Sequence, residues 1–497
     1  MIRSVLARPF AAYVVARQRQ WAARPVETQM AVLKAIVRKA QHTQFGIEHD
    51  FANIRTYEDF QKRVPIRDYE EFKPYIERIM EGASHVLWTG KPAYFAKTSG
   101  TTSGTKYIPL SGESVPYHIN SARDALMCYA YQTGNFDFLD RKLIFLSGSP
   151  LLERKAGILT GRLSGIVNHH VPAWLRSNQM PSYQTNCIED WEEKLERIID
   201  ETLPADMSLI SGIPPWVQMY FDRIQARTGK KISQVFPHFS VFVYGGVNFE
   251  PYRAKLFDSI GKKIDSVETY PASEGFIAYQ DSQTEPGLLL LLNHGIFYEF
   301  IPADEYFKPQ PRRLHIGEVE LGVNYALIMS TNAGLWGYSI GDTVKFVSKN
   351  PYRLVVTGRI KHFLSAFGEH VIGEEVEKAM QHALEKHPET TVVEFTVAPQ
   401  VNPAEGKPFH EWLIAFANPP HNLEQFAQDL DDYLRQLNTY YDDLIAGNIL
   451  RRLVITPLRQ DAFIAYMKLQ GKLGGQNKVP RLSNTRNIAD ALQPFKA

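Results

Sequence analysis

Apolar residues recur at helical spacing through the first ninety positions. Met30, Val32, Leu33, Ile36 and Val37 share one face, and Tyr69 to Met80 repeats the pattern. The spacing predicts a mainly helical start. From about 91 to 355 the period changes. Short β-rich runs appear at 143–148 (LIFLSG), 207–213 (MSLISGI), 240–246 (SVFVYGG) and 266–272 (SVETYPA). Each is bounded by Gly, Pro or Ser and followed by helix-like sequence, which predicts an α/β core with largely buried strands.

The character changes again after Thr357. Residues 359–387 (RIKHFLSAFGEHVIGEEVEKAMQHALEKH) read as a short strand, a Gly-containing turn and an amphipathic helix. Strand-like segments follow at 390–398 and 410–417. A long helix then carries Leu423, Phe426, Leu430, Tyr433, Leu434 and Leu437 on one face. The expected fold class is therefore α/β. A large N-terminal α/β domain of β-sheets and packed helices spans 1–357, and a small α+β domain spans 358–497. A Gly-rich stretch, 469–481 (LQGKLGGQNKVPR), lies near the end.

A membrane-spanning helix needs about 20 apolar residues, and no stretch reaches that. The longest, Gly287 to Phe297, is interrupted by Asn293 and His294 and reads as a buried strand pair or turn. The first 25 residues are basic and free of acids, as transit peptides are. Arg17 and Arg19 break the apolar run, so an ordinary helix is expected, and a targeting role stays open.

At 497 residues the chain is too long for one core, so two or more domains are expected. Lys plus Arg number 55 against 54 Asp plus Glu, a net charge of +1. No clustered basic excess marks a nucleic-acid partner. Two cysteines, Cys128 and Cys187, cannot build a disulfide framework, which fits a reducing compartment such as the cytoplasm.

Three segments carry candidate chemistry. The first is KTSGTTSGTKYIPLS, Lys97 to Ser111. Thr98 to Thr105 are all Thr, Ser or Gly, so small hydroxyls and backbone N–H groups can crowd around phosphate oxygens. Lys106 adds a point charge. A Walker A loop needs four residues between its glycines and Lys directly after the second. Here Gly100 and Gly104 enclose three, and Thr105 precedes the Lys. The alternative is a flexible Ser/Thr linker, although strand-like AYFA and YIPL flank it.

The second segment is 243–280. There Tyr270-Pro271-Ala272-Ser273-Glu274-Gly275 ends a β-like run, and Glu274 is either a Mg²⁺-binding acid or simply solvated. The third is GLWGYSIGDTVKF, 334–346. Asp342 is either part of a Gly-Asp hairpin turn or a carboxylate accepting from ribose hydroxyls. Trp174, Tyr183, Trp191 and Trp216 can line an acyl pocket, but buried core positions are the simpler reading.

In this order, the phosphate loop, TYPASEG, YSIGD and TGRIKHFLSAFGEHV resemble the signature of the adenylate-forming superfamily. VPIRDYEEFKPYIERI (64–79), PAYFAKTSGTTSGTKYIPLS (92–111) and QNKVPRL (476–482) resemble one branch of it. That branch is the Gretchen Hagen family of acyl-acid amido synthetases, here in a bacterial-type form. The resemblance implies ATP and Mg²⁺ as cofactors, with a carboxylic acid and an amine or amino acid as substrates.

It also implies that Thr98, Ser99, Gly100, Thr101, Thr102, Ser103, Gly104 and Lys106 hold the phosphates, with Glu274 assisting the metal. Tyr270, Gly245 and Gly246 border the adenine, and Ala272 and Ser273 complete the nucleotide set. Asp342 and Arg359 reach the ribose, and Lys478 contacts the reacting carboxylate and α-phosphate. The small domain is expected to be mobile, turning about a hinge near Gly358 to Lys361. No nucleic acid or membrane partner is expected, and the oligomeric expectation is a monomer or weak homodimer.

Ser339 departs from the plant enzymes, which usually carry Arg there, so auxin or jasmonate is not implied as the substrate. Two other functions remain open. One is a thioester ligase making acyl-CoA or loading a carrier protein, and the other is a nucleotide-binding regulator without chemistry.

Overall fold

Helix capping and the apolar periodicity explain the N-terminal helices. The computed structural model describes residues 2–99, 105–171, 176–188, 190–246, 249–360, 371–401, 403–447, 450–472, 479–483 and 485–497. Helix Pro25–Ala40 opens on a proline and buries Val32, Leu33, Ile36 and Val37, the predicted face. Helix Tyr69–Met80 starts in a capping box: Asp68 accepts from the Glu71 amide, and the Glu71 side chain accepts from the Asp68 amide. The first segment forms a helix too, Ile2–Ala22. No described helix is long and apolar enough to cross a membrane.

The chain divides into two compact units. One comprises Met1–Phe249 with Lys255–Val356, and the other Glu250–Ala254 with Thr357–Ala497. The first is built on an 11-stranded mixed sheet among the described residues. Its parallel half runs Gln179–Met180, Lys142–Phe145, Met207–Ser211, Val241–Gly245, Asp265–Ala272. All four predicted β-rich runs lie here; the interiors of Lys142–Phe145, Met207–Ser211 and Val241–Gly245 are largely buried, whereas Asp265–Ala272 is mostly half-buried. The order then continues through Gly275–Tyr279, Leu288–Leu290, Tyr352–Arg359, Tyr338–Lys349, Asn324–Thr331 and Ile296–Pro302. A separate four-stranded sheet holds Tyr94–Ser99 and Thr105–Leu110.

The apolar stretch 287–297 supplies two strand ends, yet they do not pair with each other. Leu288–Leu290 lies between Gly275–Tyr279 and Tyr352–Arg359, whereas Ile296–Pro302 pairs with Asn324–Thr331. Both are buried, so hydrophobicity alone does not show that they occupy different places in one sheet.

The second unit packs helices Gly373–Lys386 and Leu423–Leu437 on a three-stranded sheet, Thr391–Gln400, Phe409–Asn418 and Val454–Leu458. Trp412 stacks on Phe395 with ring centres 5.7 Å apart, and Phe426, Leu430 and Leu434 close the core. Leu423 and Tyr433 of the predicted face pack at its margin.

One buried ion pair fixes the N-terminal helices to the large sheet. Arg313 donates to both oxygens of Glu299, at 2.9 and 2.8 Å, and to the carbonyls of Gln61 and Val64. Tyr57 donates to the same carboxylate at 3.0 Å. Replacing Glu299 with Leu leaves the Arg313 charge buried and unpaired. The expected loss is about 3–5 kcal/mol in urea unfolding, and a loss below about 1 kcal/mol would contradict a buried role.

His118 and His294 are buried, each with an Nδ1 lacking a partner among the described residues. Burial pulls both down to about 4. As pH falls below the ordinary value near 6.5 the unfolded chain takes up protons first, so stability is full above that value and is lost towards pH 4. Each residue contributes on the order of 3 kcal/mol to this loss. A His118→Asn, His294→Asn double variant should show a flatter fall in urea midpoint between pH 6.5 and 4. An unchanged slope would refute the assignment.

Candidate functional site

The carboxyl ends of parallel strands are where open α/β sheets place ligands, and seven of the candidate residues collect there: Gly245, Gly246, Tyr270, Ala272, Ser273, Glu274 and Asp342. Strand Val241–Gly245 ends on Gly245. A side chain at this position would come within 2.3 Å of the Thr269 carbonyl oxygen and 2.8 Å of its hydroxyl. Only glycine allows the two strands to approach so closely. Thr269 in turn donates to the Tyr244 carbonyl at 3.0 Å. Gly246 follows at φ +78°, a conformation that favours glycine.

Strands Asp265–Ala272 and Gly275–Tyr279 form a tight hairpin with Ala272 opposite Gly275, so Ser273 and Glu274 are its two-residue turn. Ser273 is buried and Glu274 half-buried. A side chain at Gly275 would meet Ile296 Cδ1 at 2.4 Å, within the core.

Two tyrosines orient the two carboxylates. Tyr270 donates to Asp342 Oδ2 at 2.6 Å, and Tyr338 donates to Glu274 Oε1 at 3.2 Å. Tyr270 and Asp342 lie on strands four places apart in the hydrogen-bonded order. A flat sheet would separate such strands by roughly 19 Å. The antiparallel half is therefore curled, so that the strand bearing Asp342 returns towards the end of the strand bearing Tyr270.

Asp342 does not sit in a hairpin turn. It lies inside strand Tyr338–Lys349, where the pairing jumps from Ile328–Ser339 to Ala326–Thr343. Gly341, at φ +84°, falls in the resulting bulge. A bulge bends a strand and re-aims its side chains. Here a Gly-Asp pair that resembles a turn in sequence directs a buried carboxylate instead.

The residues around the Ser/Thr/Gly segment form a hairpin. Thr98 pairs with Lys106 and Ser99 with Thr105, so 100–104 join two strands in register. Gly100, Thr101, Thr102, Ser103 and Gly104 lie outside the described residues. Thr98 is half-buried, and Lys106 Nζ stands 5.3 Å from the centre of the Tyr69 ring. Segment 67–69 ties this hairpin to the acids. Arg67 exchanges backbone hydrogen bonds with Gly337 and Ser339 at 3.0 and 2.8 Å, while the Tyr69 hydroxyl accepts from the Tyr107 amide at 2.8 Å.

In the second unit Arg359 is the exposed last residue of strand Tyr352–Arg359. Lys478 and positions 361–370 lie outside the described residues. The chain just beyond Lys478 is anchored, however. Leu482 bridges to Val397, the Val397 amide donates to the Arg481 carbonyl at 2.9 Å, and Arg481 pairs with Glu394 and Glu377.

Mg²⁺ usually takes one or two protein carboxylates plus substrate phosphates. A single half-buried Glu274 with one oxygen oriented by Tyr338 fits that donor set. Among the described residues no group of three or more His, Cys, Asp or Glu forms a separate metal cage. Tyr338 and Thr269 were not singled out from sequence, although both stand inside the motifs. Their value lies in the long-range contacts they make. Trp191 and Trp216 are core residues, with ring centres 4.8 Å apart; Tyr183 is 48% exposed and so not core, and Trp174 lies outside the described residues.

The fold defines a class. An acyl acid amido synthetase, GH3.15, solved with 2,4-DB superposes with a TM-score of 0.81 over 98% of this chain and 96% of its own, at 15% identity. A 2-hydroxyisobutyryl-CoA ligase carrying an acyl-AMP superposes at 0.62 over 95% and 92%, at 12% identity. This is the fold of the adenylate-forming enzymes. The GH3 family N-terminal domain matches residues 15–167, its central domain 289–359 and its C-terminal domain 374–487, and the chain belongs to the GH3 family.

The jasmonoyl–L-amino acid synthetase JAR4 of Nicotiana attenuata is 24% identical over 353 residues, covering 58% of this chain and 60% of that protein. Across three such plant synthetases the matched length is 60–62% of the relative.

Gly245→Ala should force the Val241–Gly245 strand end away from Thr269, at a cost of about 1–3 kcal/mol in denaturant unfolding. An unchanged midpoint would show that the approach is not tight.

Proposed function

We propose that the chain is an ATP-dependent ligase that activates a carboxylic acid as an acyl-adenylate and passes the acyl group to an amine, most simply an amino acid. The supporting observation is the pair of oriented carboxylates, Asp342 held by Tyr270 and Glu274 held by Tyr338, at the carboxyl edge of the parallel strands. Membership of a family whose named relatives are amido synthetases agrees with it.

A carboxylate resists attack because its leaving group would be oxide. In the first step its oxygen bonds to the α-phosphorus, the α–β anhydride breaks and pyrophosphate leaves. In the second step the amine nitrogen attacks the acyl carbon, the C–O bond to AMP breaks and the amine proton goes to solvent. The first step brings anions together, so donors preorganised around the phosphates carry most of the stabilisation.

The hydroxyls and amides of 98–105 and Lys106 would cradle the phosphates. Gly245, Gly246, Tyr270, Ala272 and Ser273 would border the adenine, and Asp342 and Arg359 would take the ribose hydroxyls. Mg²⁺, when bound, supplies charge neutralisation on the phosphates, and Glu274 would hold it. Lys478 would approach the reacting carboxylate from a tail anchored by Arg481. The division at 357/358, with the small domain turning between the two steps, belongs to the same proposal. So does a cytoplasmic setting, in which Cys128 and Cys187 stay reduced.

Carboxylate-dependent ATP–pyrophosphate exchange tests this, with aryl, indolyl and fatty acids, with and without amino acids. Exchange that becomes amide formation on adding amino acids is expected. Lys478→Ala should slow exchange by about 100- to 1,000-fold while leaving ATP affinity nearly unchanged. Exchange without amide would move the reading to a thioester ligase. No exchange with any acid, in protein that binds ATP, would contradict it in favour of a regulator.

A further inference from the structure

A second cluster of donors stands on the same edge of the sheet, beyond strand Lys142–Phe145, two strands from Gly245 and so about 10 Å across the sheet. Its centre is Gly148. A side chain there would meet Arg162 Cδ at 2.9 Å, Arg162 Nη1 at 3.5 Å and Ser164 Oγ at 3.5 Å. The guanidinium and the hydroxyl thus converge closely over Gly148.

Neither group is satisfied among the described residues. Arg162 precedes helix Leu163–His169 without capping it and has no acidic or carbonyl partner among the described residues. Burial pulls its guanidinium below the usual range. Ser164 Oγ is buried and has no hydrogen-bond partner among the described residues.

Lys194 completes the cluster from helix Trp191–Thr202. It is 2% exposed, and its ammonium donates to the carbonyls of Ser147 at 3.0 Å and Asn186 at 2.8 Å. An ammonium has three N–H donors, so one is left over. Burial first, then the nearby Arg162 charge, brings Lys194 down to about 8, partly offset by Cys187. The Asn186 Oδ1 is also buried without a partner among the described residues.

Two cations held together without a carboxylate are costly unless an anion joins them. Only glycine at 148 lets Arg162 and Ser164 come this close to the backbone. A guanidinium fork with an adjacent hydroxyl and ammonium matches the two oxygens of a carboxylate.

We propose that Arg162, Ser164 and Lys194 form a subsite for a second carboxylate, one that the reaction does not activate. It is carried either by the amino acid, as its α-carboxylate, or by the acid substrate, as a distal carboxylate. The proposal rests on the amide-ligase reading and adds a substrate requirement to it: one of the two partners must be an anion at a position remote from the bond being made.

The test uses the full chain, wild type against Arg162→Met and Ser164→Ala, with urea midpoints recorded to set aside misfolded protein. Three comparisons are made. Amide formation is measured with L-alanine against L-alaninamide, pyrophosphate exchange with a dicarboxylic acid against its monomethyl ester, and the thermal unfolding midpoint with succinate against chloride at equal ionic strength.

The expected result is that Arg162→Met lowers the kcat/KM ratio in one of the first two comparisons by about 10- to 100-fold, as loss of a charged hydrogen bond does. Arg162→Lys should lose less. A drop confined to alanine over alaninamide assigns the carboxylate to the amino acid, and a drop confined to the diacid assigns it to the acid. Equal losses on both members of each pair would overturn the proposal, as would no change in either.

The succinate arm needs no turnover. If no acid supports exchange, the ligase reading fails, yet a succinate-dependent rise in midpoint that Arg162→Met abolishes still shows the anion site. Absence of that rise, together with unchanged kinetic ratios, refutes the site itself.

Discussion

The hydrogen bond from Tyr270 to Asp342 exists only because the large sheet curls. Four strand spacings lie between the two residues along the hydrogen-bonded order, and their side chains still meet at 2.6 Å. The curl follows from two local features. The bulge at Gly341 turns Asp342 inward, and glycine at 275 lets the hairpin tip pack against Ile296. A sheet with a parallel half for the α/β crossovers and a rolled antiparallel half thus brings two tyrosine-held acids, Asp342 and Glu274, to one edge.

Other constraints serve that edge. The Glu299–Arg313 pair holds the N-terminal helices onto the antiparallel half. The segment after Val64 pairs with strand Tyr338–Lys349 on one side and supports Tyr107 on the other. This gives the family-specific block at 64–79 a physical role. It fixes the Ser/Thr/Gly hairpin relative to Glu274 and Asp342, which stand on a different sheet. The donors around Gly148 share the edge but have no carboxylate partner among the described residues, whereas Asp342 and Glu274 are held by tyrosine donors.

Much of this was legible in the sequence, for reasons that differ by element. The strands ending at Phe145, Ser211 and Gly245 show as apolar runs because most of their positions are buried; the strand ending at Ala272 shows instead by its β-branched residues and the proline near its end. The helices Pro25–Ala40 and Leu423–Leu437 show by their period. What was not legible depended on distant partners. Gly341-Asp342 has the composition of a hairpin turn, and only its register against Ala326 and Ile328 makes it a bulge. The apolar stretch 287–297 shows burial but not which neighbours the two strands take. Tyr338 looks like one more buried aromatic until its hydroxyl is seen to meet Glu274. The order of motifs along the chain pointed to the residues proposed for the nucleotide site, and the curl of the sheet explains how Tyr270 and Asp342 meet.

The central claim, that a carboxylate oxygen is joined to the α-phosphorus, has a direct measurement. The acid that supports exchange is labelled with ¹⁸O in its carboxylate and supplied with ATP and the acceptor amine for complete turnover. Transfer through an acyl-adenylate places one label in AMP and none in inorganic phosphate, and mass spectrometry of the nucleotide reads this without ambiguity. Label in inorganic phosphate with ADP as the nucleotide product, or amide formed with unlabelled AMP, would contradict the account.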